Sequence, residues 1–294
     1  MSKRILLFLA TNLAIVLVLS ILAALLGLDG RAWSSDGTPM FGQLFLFCLF
    51  WGMGGALISL QLSRWIAKRA VGAQVVDGHT GDANLDWLHT TVGNLARQAN
   101  LPMPEVAVYP STEVNAFATG PSKKRSLVAV STGLLGAMGR NEVEAVLAHE
   151  LGHIANGDMI TMTLLQGVLN AFVLFFARLA SIAVRIALKS RSSWAVSWVV
   201  RIVFQIALSL LASLITASYS RRREFRADAA AAALAGRTNM VAALKRLMTT
   251  TDRVDMSQPA LATLKVAGGK SWMRAFATHP PLEARIAALE EMGY

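Results

Sequence analysis

Ala148-His149-Glu150-Leu151-Gly152-His153-Ile154-Ala155-Asn156-Gly157-Asp158 runs almost at once into the uncharged stretch Ile160 to Ala177. The polar half reads as the end of a helix. Asn141 with Glu144 three residues on suggests a capping box, Val143, Val146 and Leu147 give an apolar face, and Asn156-Gly157 gives a stop. The apolar half is long enough to enter a bilayer. A helix with two histidines therefore hands the chain to a segment suited to lipid.

Composition supports that reading over the whole chain. Of 294 residues, 54% are apolar and 16% charged, and the mean hydropathy is +0.48. A soluble domain is roughly a quarter charged, so part of this chain is solvated by lipid. The net charge is +10. Its basic residues decide what that means. Lys3, Arg4, Arg64, Lys68, Arg69 and Arg221 to Arg223 sit at the ends of apolar runs, the pattern of the positive-inside rule. No nucleic-acid motif is present, so nucleic acid is not expected as a partner. Cys48 is the one cysteine, which excludes an internal disulfide and a cysteine-ligated zinc site.

Four stretches are candidate spans. Ile5 to Leu28 and Phe41 to Ser63 carry no charge. The first is too long for a signal-peptide core and has no A-x-A-type site after it, so it reads as a retained anchor. Arg64, Lys68 and Arg69 follow the second, which gives a hairpin with both chain ends in the cytoplasm. Ile160 to Ala177 and Ile202 to Ser220 are the third and fourth, the latter ending on Arg221-Arg222-Arg223. Arg178, Arg185, Lys189, Arg191 and Arg201 disturb this picture, because the connection between those spans should not be basic if it lies outside. Arg178, Arg185 and Arg201 could snorkel or face a protein interior. Four spans are expected; the alternative is a buried or interfacial hairpin that does not cross.

The expected organisation is an N-terminal hairpin (1–69), a first polar part (70–158), a second hairpin (159–220) and a second polar part (221–294). Asp86 to Ala99 reads as an amphipathic helix stopped by Asn100 and Pro102. Glu105 to Tyr109 and Ser126 to Ser131 read as short strands, with Asn115 to Ala118 as another. Phe225 to Ala235, Asn239 to Met248 and Leu282 to Met292 read as helices. The fold class is a mainly α membrane protein with a small β-sheet in an α+β polar domain.

His149, Glu150 and His153 form H-E-x-x-H. Four residues apart, the histidines lie one turn apart on one helix face and can share a zinc ion. Glu150 points beside the metal and can take a proton from a water there. The competing reading is two surface histidines on an amphipathic helix. A catalytic zinc site needs a third protein ligand. His279 and the acids of the last block are candidates. Glu224 stands out among them, at the expected start of a helix with Asp228 four residues on, on the same face. Asp228 could orient a ligating imidazole. An acid favoured by a helix N-terminus explains Glu224 as well. An even number of crossings between Asp158 and Glu224 returns Glu224 to the histidines' side, with the metal close to the membrane surface.

The chain resembles the HtpX-type heat-shock membrane zinc metalloproteases, and more distantly the CAAX prenyl proteases. The likeness rests on Leu6 to Leu13, Asn115-Ala116-Phe117-Ala118-Thr119-Gly120, Leu127 to Leu135, the histidine motif with Asn156-Gly157-Asp158, Glu224-Phe225 with Ala227-Asp228, and Thr278-His279-Pro280-Pro281-Leu282. The resemblance implies a zincin-like catalytic domain with one Zn2+ per chain on His149, His153 and Glu224. Glu150 would be the general base and acid, with Asp228 behind the ligands. It further implies an edge strand at Asn115-Ala116 that pairs with extended substrate. His279 and Arg285 would line the site, His279 for an oxyanion and Arg285 for substrate. The expected protein is a multi-pass zinc endopeptidase of the bacterial inner membrane, in contact with the lipid bilayer and with its site facing the cytoplasm. It would act on misfolded or damaged membrane proteins. A prenyl-protein protease and a non-catalytic zinc-stabilised scaffold are the alternatives; Glu150 speaks against the scaffold, which needs no base.

Overall fold

A computed structural model describes residues 2–28, 40–188, 193–257 and 277–292. The elements in order are α1 (Ser2–Leu25), α2 (Phe41–Val71), β1 (Gln74–Val76), α3 (Ala83–Gln98), β2 (Glu105–Tyr109), β3 (Ala116–Ser122), β4 (Arg125–Ser131), α4 (Thr132–Ala137), α5 (Arg140–Asn156), α6 (Asp158–Leu188), α7 (Ser193–Ala235), α8 (Arg237–Ser257) and α9 (Leu282–Glu291). The chain divides into two compact units. Met1–Leu60 with Thr161–Thr216 form the membrane unit, and Gln61–Ile160 with Ala217–Tyr294 form the sheet unit.

In the membrane unit, helices over Phe41–Val71, Asp158–Ala187 and Ala195–Ala235 are long and apolar enough to cross a bilayer. The apolar part of α1 within the searched residues is Leu13–Leu25. Only 17% and 6% of the apolar windows in α6 and α7 are buried, so a buried hairpin does not describe them. Their large side chains face outward, Phe172, Val203, Leu210 and Leu211 among them, as lipid-facing residues do. Where helices do meet, small residues allow it. A Cβ on Gly52 of α2 would clash with the Ala171 backbone nitrogen on α6.

The sheet unit is built on a four-stranded sheet in the order β1-β2-β4-β3. β2 and β4 are parallel, and the other pairs are antiparallel. β4 is central, and Ser126 to Ser131 are all buried, which explains its continuous β-branched and small apolar run. α3 supplies Leu88, Val92 and Leu95 to the core beside Val128, Val130, Leu147 and Leu244. Its start is fixed by Asp82, whose carboxylate accepts from Asn84 N–H at 2.8 Å. Asn100 adopts a left-handed φ of 52° just past its end.

Two expectations are corrected. The capping box of Asn141 and Glu144 does not form. α5 begins at Arg140, and the Glu142 carboxylate reaches back to the Gly139 N–H at 2.8 Å, so the cap sits two residues earlier. Glu224 does not open a helix either. α7 runs unbroken from Ser193 to Ala235 through Arg221-Arg222-Arg223, because nothing in that basic run breaks a helix. The reading of Glu224 as a helix-terminal acid therefore falls.

Candidate metal centre

α5 is held in the core on almost every side. Ala145, Leu147, Ala148, Leu151 and Ile154 have no exposed surface, and the helix packs on α3, α8, β3 and β4. On the side of Gly152 it meets α7. A Cβ on Gly152 would stand 3.1 Å from the Ala230 Cβ and 3.2 Å from the Ala227 carbonyl oxygen. Glycine here lets α7 approach closely, and Glu224, one turn before Ala227, comes to the histidine face.

The rings of His149 and His153 are perpendicular, 4.7 Å between centroids. Their Nε2 atoms point toward one carboxylate. His149 Nε2 lies 3.7 Å from Glu224 Oε2, and His153 Nε2 lies 3.4 Å from Glu224 Oε1. One ligand atom from each residue falls within 4.8 Å of the other two. Glu224 is only 2% exposed, and its Oε1 has no partner in hydrogen-bond geometry. Orphaned buried acceptors are costly, and a cation shared with two imidazoles would satisfy this one.

The other ring nitrogens are also spoken for. His149 Nδ1 meets Asp228 Oδ1 at 2.9 Å, and His153 Nδ1 meets Asp158 Oδ2 at 2.7 Å. Metal-ligating histidines are oriented this way by carboxylates behind them. Asp228 is itself clamped by Arg285, whose Nε and Nη2 donate to both its oxygens. Asp158 pairs with Arg226 at 3.3 Å. His279 Nδ1 lies 3.0 Å from Glu224 Oε2, and its side chain is 65% exposed.

Electrostatics follow from this geometry. Burial disfavours a charged His149, yet the Asp228 carboxylate bonded to it and the nearby Glu224 carboxylate outweigh it and raise its pKa. Burial acts the same way on His153, and the hydrogen bond to Asp158 with the nearby Glu224 carboxylate lifts it to about 9. Burial alone would raise Glu224; His149, His153 and His279 hold it well below the carboxylate range. Asp228 is likewise lowered against its burial by Arg285 and His149. The centre thus keeps anionic carboxylates behind and between two strongly basic imidazoles. Two nitrogens, one buried carboxylate oxygen and the carboxylates behind them fit a divalent cation of the zinc type.

Glu150 is half-buried and acts electrostatically on His149, His153, Tyr109 and Arg285. Asn115 is exposed and precedes β3 by one residue. Its main chain is tied to Ser131, with Ser131 N–H donating to the Asn115 carbonyl at 2.9 Å. Ala116 pairs with Val130, and β3 lies at one edge of the sheet. The structure therefore gathers His149, His153, Glu224, Asp228, His279 and Arg285 into one bonded cluster. It sets Asn115 and Ala116 on the sheet edge. Arg285 is 6% exposed, and its guanidinium is occupied by Asp228 and, at 3.4 Å, by Glu224. Sequence reasoning missed Asp158 as the partner of His153. A carboxylate five residues after a candidate ligand, just past Gly157, is the only signal it offered.

Residues 82–293 match the family described as Peptidase family M48, a range that contains the whole cluster. Protease HtpX of Pasteurella multocida is 50% identical over 290 residues, 98% of each chain. Protease HtpX of Idiomarina loihiensis is 49% identical over 295 residues, 98% of this chain and 99% of that one. A protease HtpX homolog of Nitrosomonas europaea is 47% identical over 294 residues, 99% of each. The crystal structure of Ste24p from S. mikatae superposes with a TM-score of 0.63 at 17% identity. It shares the fold over 95% of this chain, which spans 62% of that longer one.

Proposed function

This chain belongs to peptidase family M48 and is a membrane protease, and from that premise we propose that it is a zinc metalloendopeptidase centred on His149, His153 and Glu224. The observation that carries the proposal is the pair of Nε2 atoms turned toward the two oxygens of the buried Glu224 carboxylate, one of which is unsatisfied, while both Nδ1 atoms are held from behind. A Zn2+ held there would supply Lewis acidity and lower the pKa of the attacking water.

The chain's own residues do the rest. Glu150 takes the proton from the attacking water, the water oxygen adds to the scissile carbonyl carbon, and Glu150 passes the proton to the departing amine nitrogen. The edge of β3 takes an extended polypeptide as an added strand, with Asn115 and Ala116 at its start. His279, fixed through Nδ1 by Glu224, faces the charge that develops on the carbonyl oxygen. For Arg285 the geometry favours positioning: it locks Asp228, which locks His149.

The substrates we propose are misfolded or damaged membrane proteins, and the compartment the cytoplasmic face of a bacterial inner membrane. Basic flanks at Arg64, Lys68, Arg69 and Arg221 to Arg223 support that orientation. So does the placement of Asp158 at the start of one span and Glu224 within the helix that carries another. The test is proteolysis of an unfolded membrane-protein substrate by the purified, zinc-loaded chain. Glu150→Gln should retain zinc and lose roughly 10²- to 10⁴-fold in rate. Full activity in that variant would sink the mechanism.

A further inference from the structure

Two of the basic residues that sat awkwardly with the span topology, Arg178 and Arg201, have a place in the membrane unit; Lys189 and Arg191 lie outside the described residues. Arg178 of α6 lies with its guanidinium carbon 4.5 Å from the centroid of Phe47 on α2. Its Nη1 reaches Cys48 Sγ at 3.8 Å. Neither partner neutralises it: an aromatic face only attracts a cation, and a thiol is a weak acceptor. Arg201 of α7 is close enough to act on Arg178 electrostatically, as a second positive charge. The helix register explains the meeting. Ser181 Oγ donates to the Ser197 carbonyl at 2.9 Å; Arg178 lies three residues back along α6 from that bond and Arg201 four residues on along α7. No carboxylate pairs with either arginine among the described residues. One turn along α2, the buried Trp51 indole N–H also lacks an acceptor there, its ring 6.1 Å from that of Phe47.

Depth narrows the identity of the missing anion. Arg178 is twenty residues past Asp158, Arg201 twenty before Arg221, and Phe47 seventeen before Arg64. At about 1.5 Å per helical residue these are about 30, 30 and 26 Å, close to the ~30 Å thickness of a hydrocarbon core. The two cations thus stand at the border opposite the basic flanks, where lipid phosphates lie. A guanidinium stays charged and presents a fork that matches phosphate. We propose that Arg178 and Arg201 together bind the phosphate of an anionic phospholipid headgroup in the leaflet opposite those flanks. The leaflet assignment rests on the orientation given above; the binding itself does not.

The experiment uses the full chain in neutral detergent. Phosphatidylglycerol, phosphatidylcholine or inorganic phosphate is added, and both the unfolding midpoint and lipid retention in native mass spectrometry are read. Phosphatidylglycerol should bind about tenfold or more tightly than phosphatidylcholine and raise the midpoint further. Arg178→Gln and Arg201→Gln should each remove most of that preference, Arg178→Lys part of it, and Arg185→Gln, an exposed cation on the same helix, none. The unfolding midpoint without added lipid reports whether each variant is folded. If Arg178→Gln cannot be purified, the half-exposed Arg201→Gln decides alone. Equal binding of the two lipids, an equal loss in Arg185→Gln, or the same midpoint shift from inorganic phosphate would each overturn the proposal.

Discussion

In the sheet unit Leu88, Leu147, Leu151 and Leu244 are wholly buried, whereas in the membrane unit Leu17, Ile21, Val203 and Leu211 are more than half exposed. The same contrast holds for charge. Glu224, Asp228, Asp158 and Arg285 are buried and interlocked in the sheet unit, while Arg178 of the membrane unit rests on a ring and a thiol. One chain obeys two rules because it has two solvents. In water, apolar side chains gather and buried charges must be matched. In lipid, leucine has nothing to escape from, and helices associate through small residues such as Gly52.

Core substitutions give the largest test of that contrast. Leu147→Ala removes a fully buried side chain from α5 and should cost about 2–5 kcal/mol in denaturant unfolding, with loss of zinc as the helix shifts. A cost below 1 kcal/mol would mean α5 is not the packed element it is here. The carboxylates behind the histidines come next. Asp228→Asn and Asp158→Asn should each weaken zinc binding by roughly 10- to 100-fold, read by competition with a chelating dye. Asp228→Asn should be the worse of the two, because it also strands buried Arg285, while Arg226 is exposed enough to find water.

A smaller effect follows from the raised pKa of His153. In metal-free protein a proton on His153 stabilises the fold fully below about pH 6.5, its ordinary value, and that contribution is lost as pH rises through about 9. Zinc needs the deprotonated ring. The gain in unfolding midpoint on adding zinc should therefore grow between pH 6.5 and 9; a flat profile would show that His153 is not proton-loaded without metal. The smallest effect belongs to lipid-facing residues: Leu211→Ala should stay within about 0.5 kcal/mol in detergent.

Sequence reading reached unevenly into this molecule, for physical reasons. Glu105 to Tyr109 was legible as a strand to the residue, because a short β-branched run bounded by Pro104 and Pro110 leaves little choice. β1 was not, since Gln74–Val76 is too short to show a period. Spacing alone put His149 and His153 on one face and Asp228 on the face of Glu224. It did not show that α7 continues through three arginines, because a basic cluster after an apolar run marks the end of a span and says nothing about whether the helix ends there. The Asp158 contact was hidden for another reason. Gly157 takes a left-handed φ of 69° and turns the chain between α5 and α6, so helical arithmetic stops before it. Arg285 reaches Asp228 across 57 positions of chain, a distance no motif spans.

Gly152 has a consequence beyond packing. The distance from the two histidines to the Glu224 carboxylate depends on the close approach of α5 and α7 at Gly152. The gauge for the proposed metal is therefore a side chain that is not there. A change at this position would widen the site while leaving every ligand in the sequence, so a survey that counts ligands would score the protein as intact when its centre could no longer close.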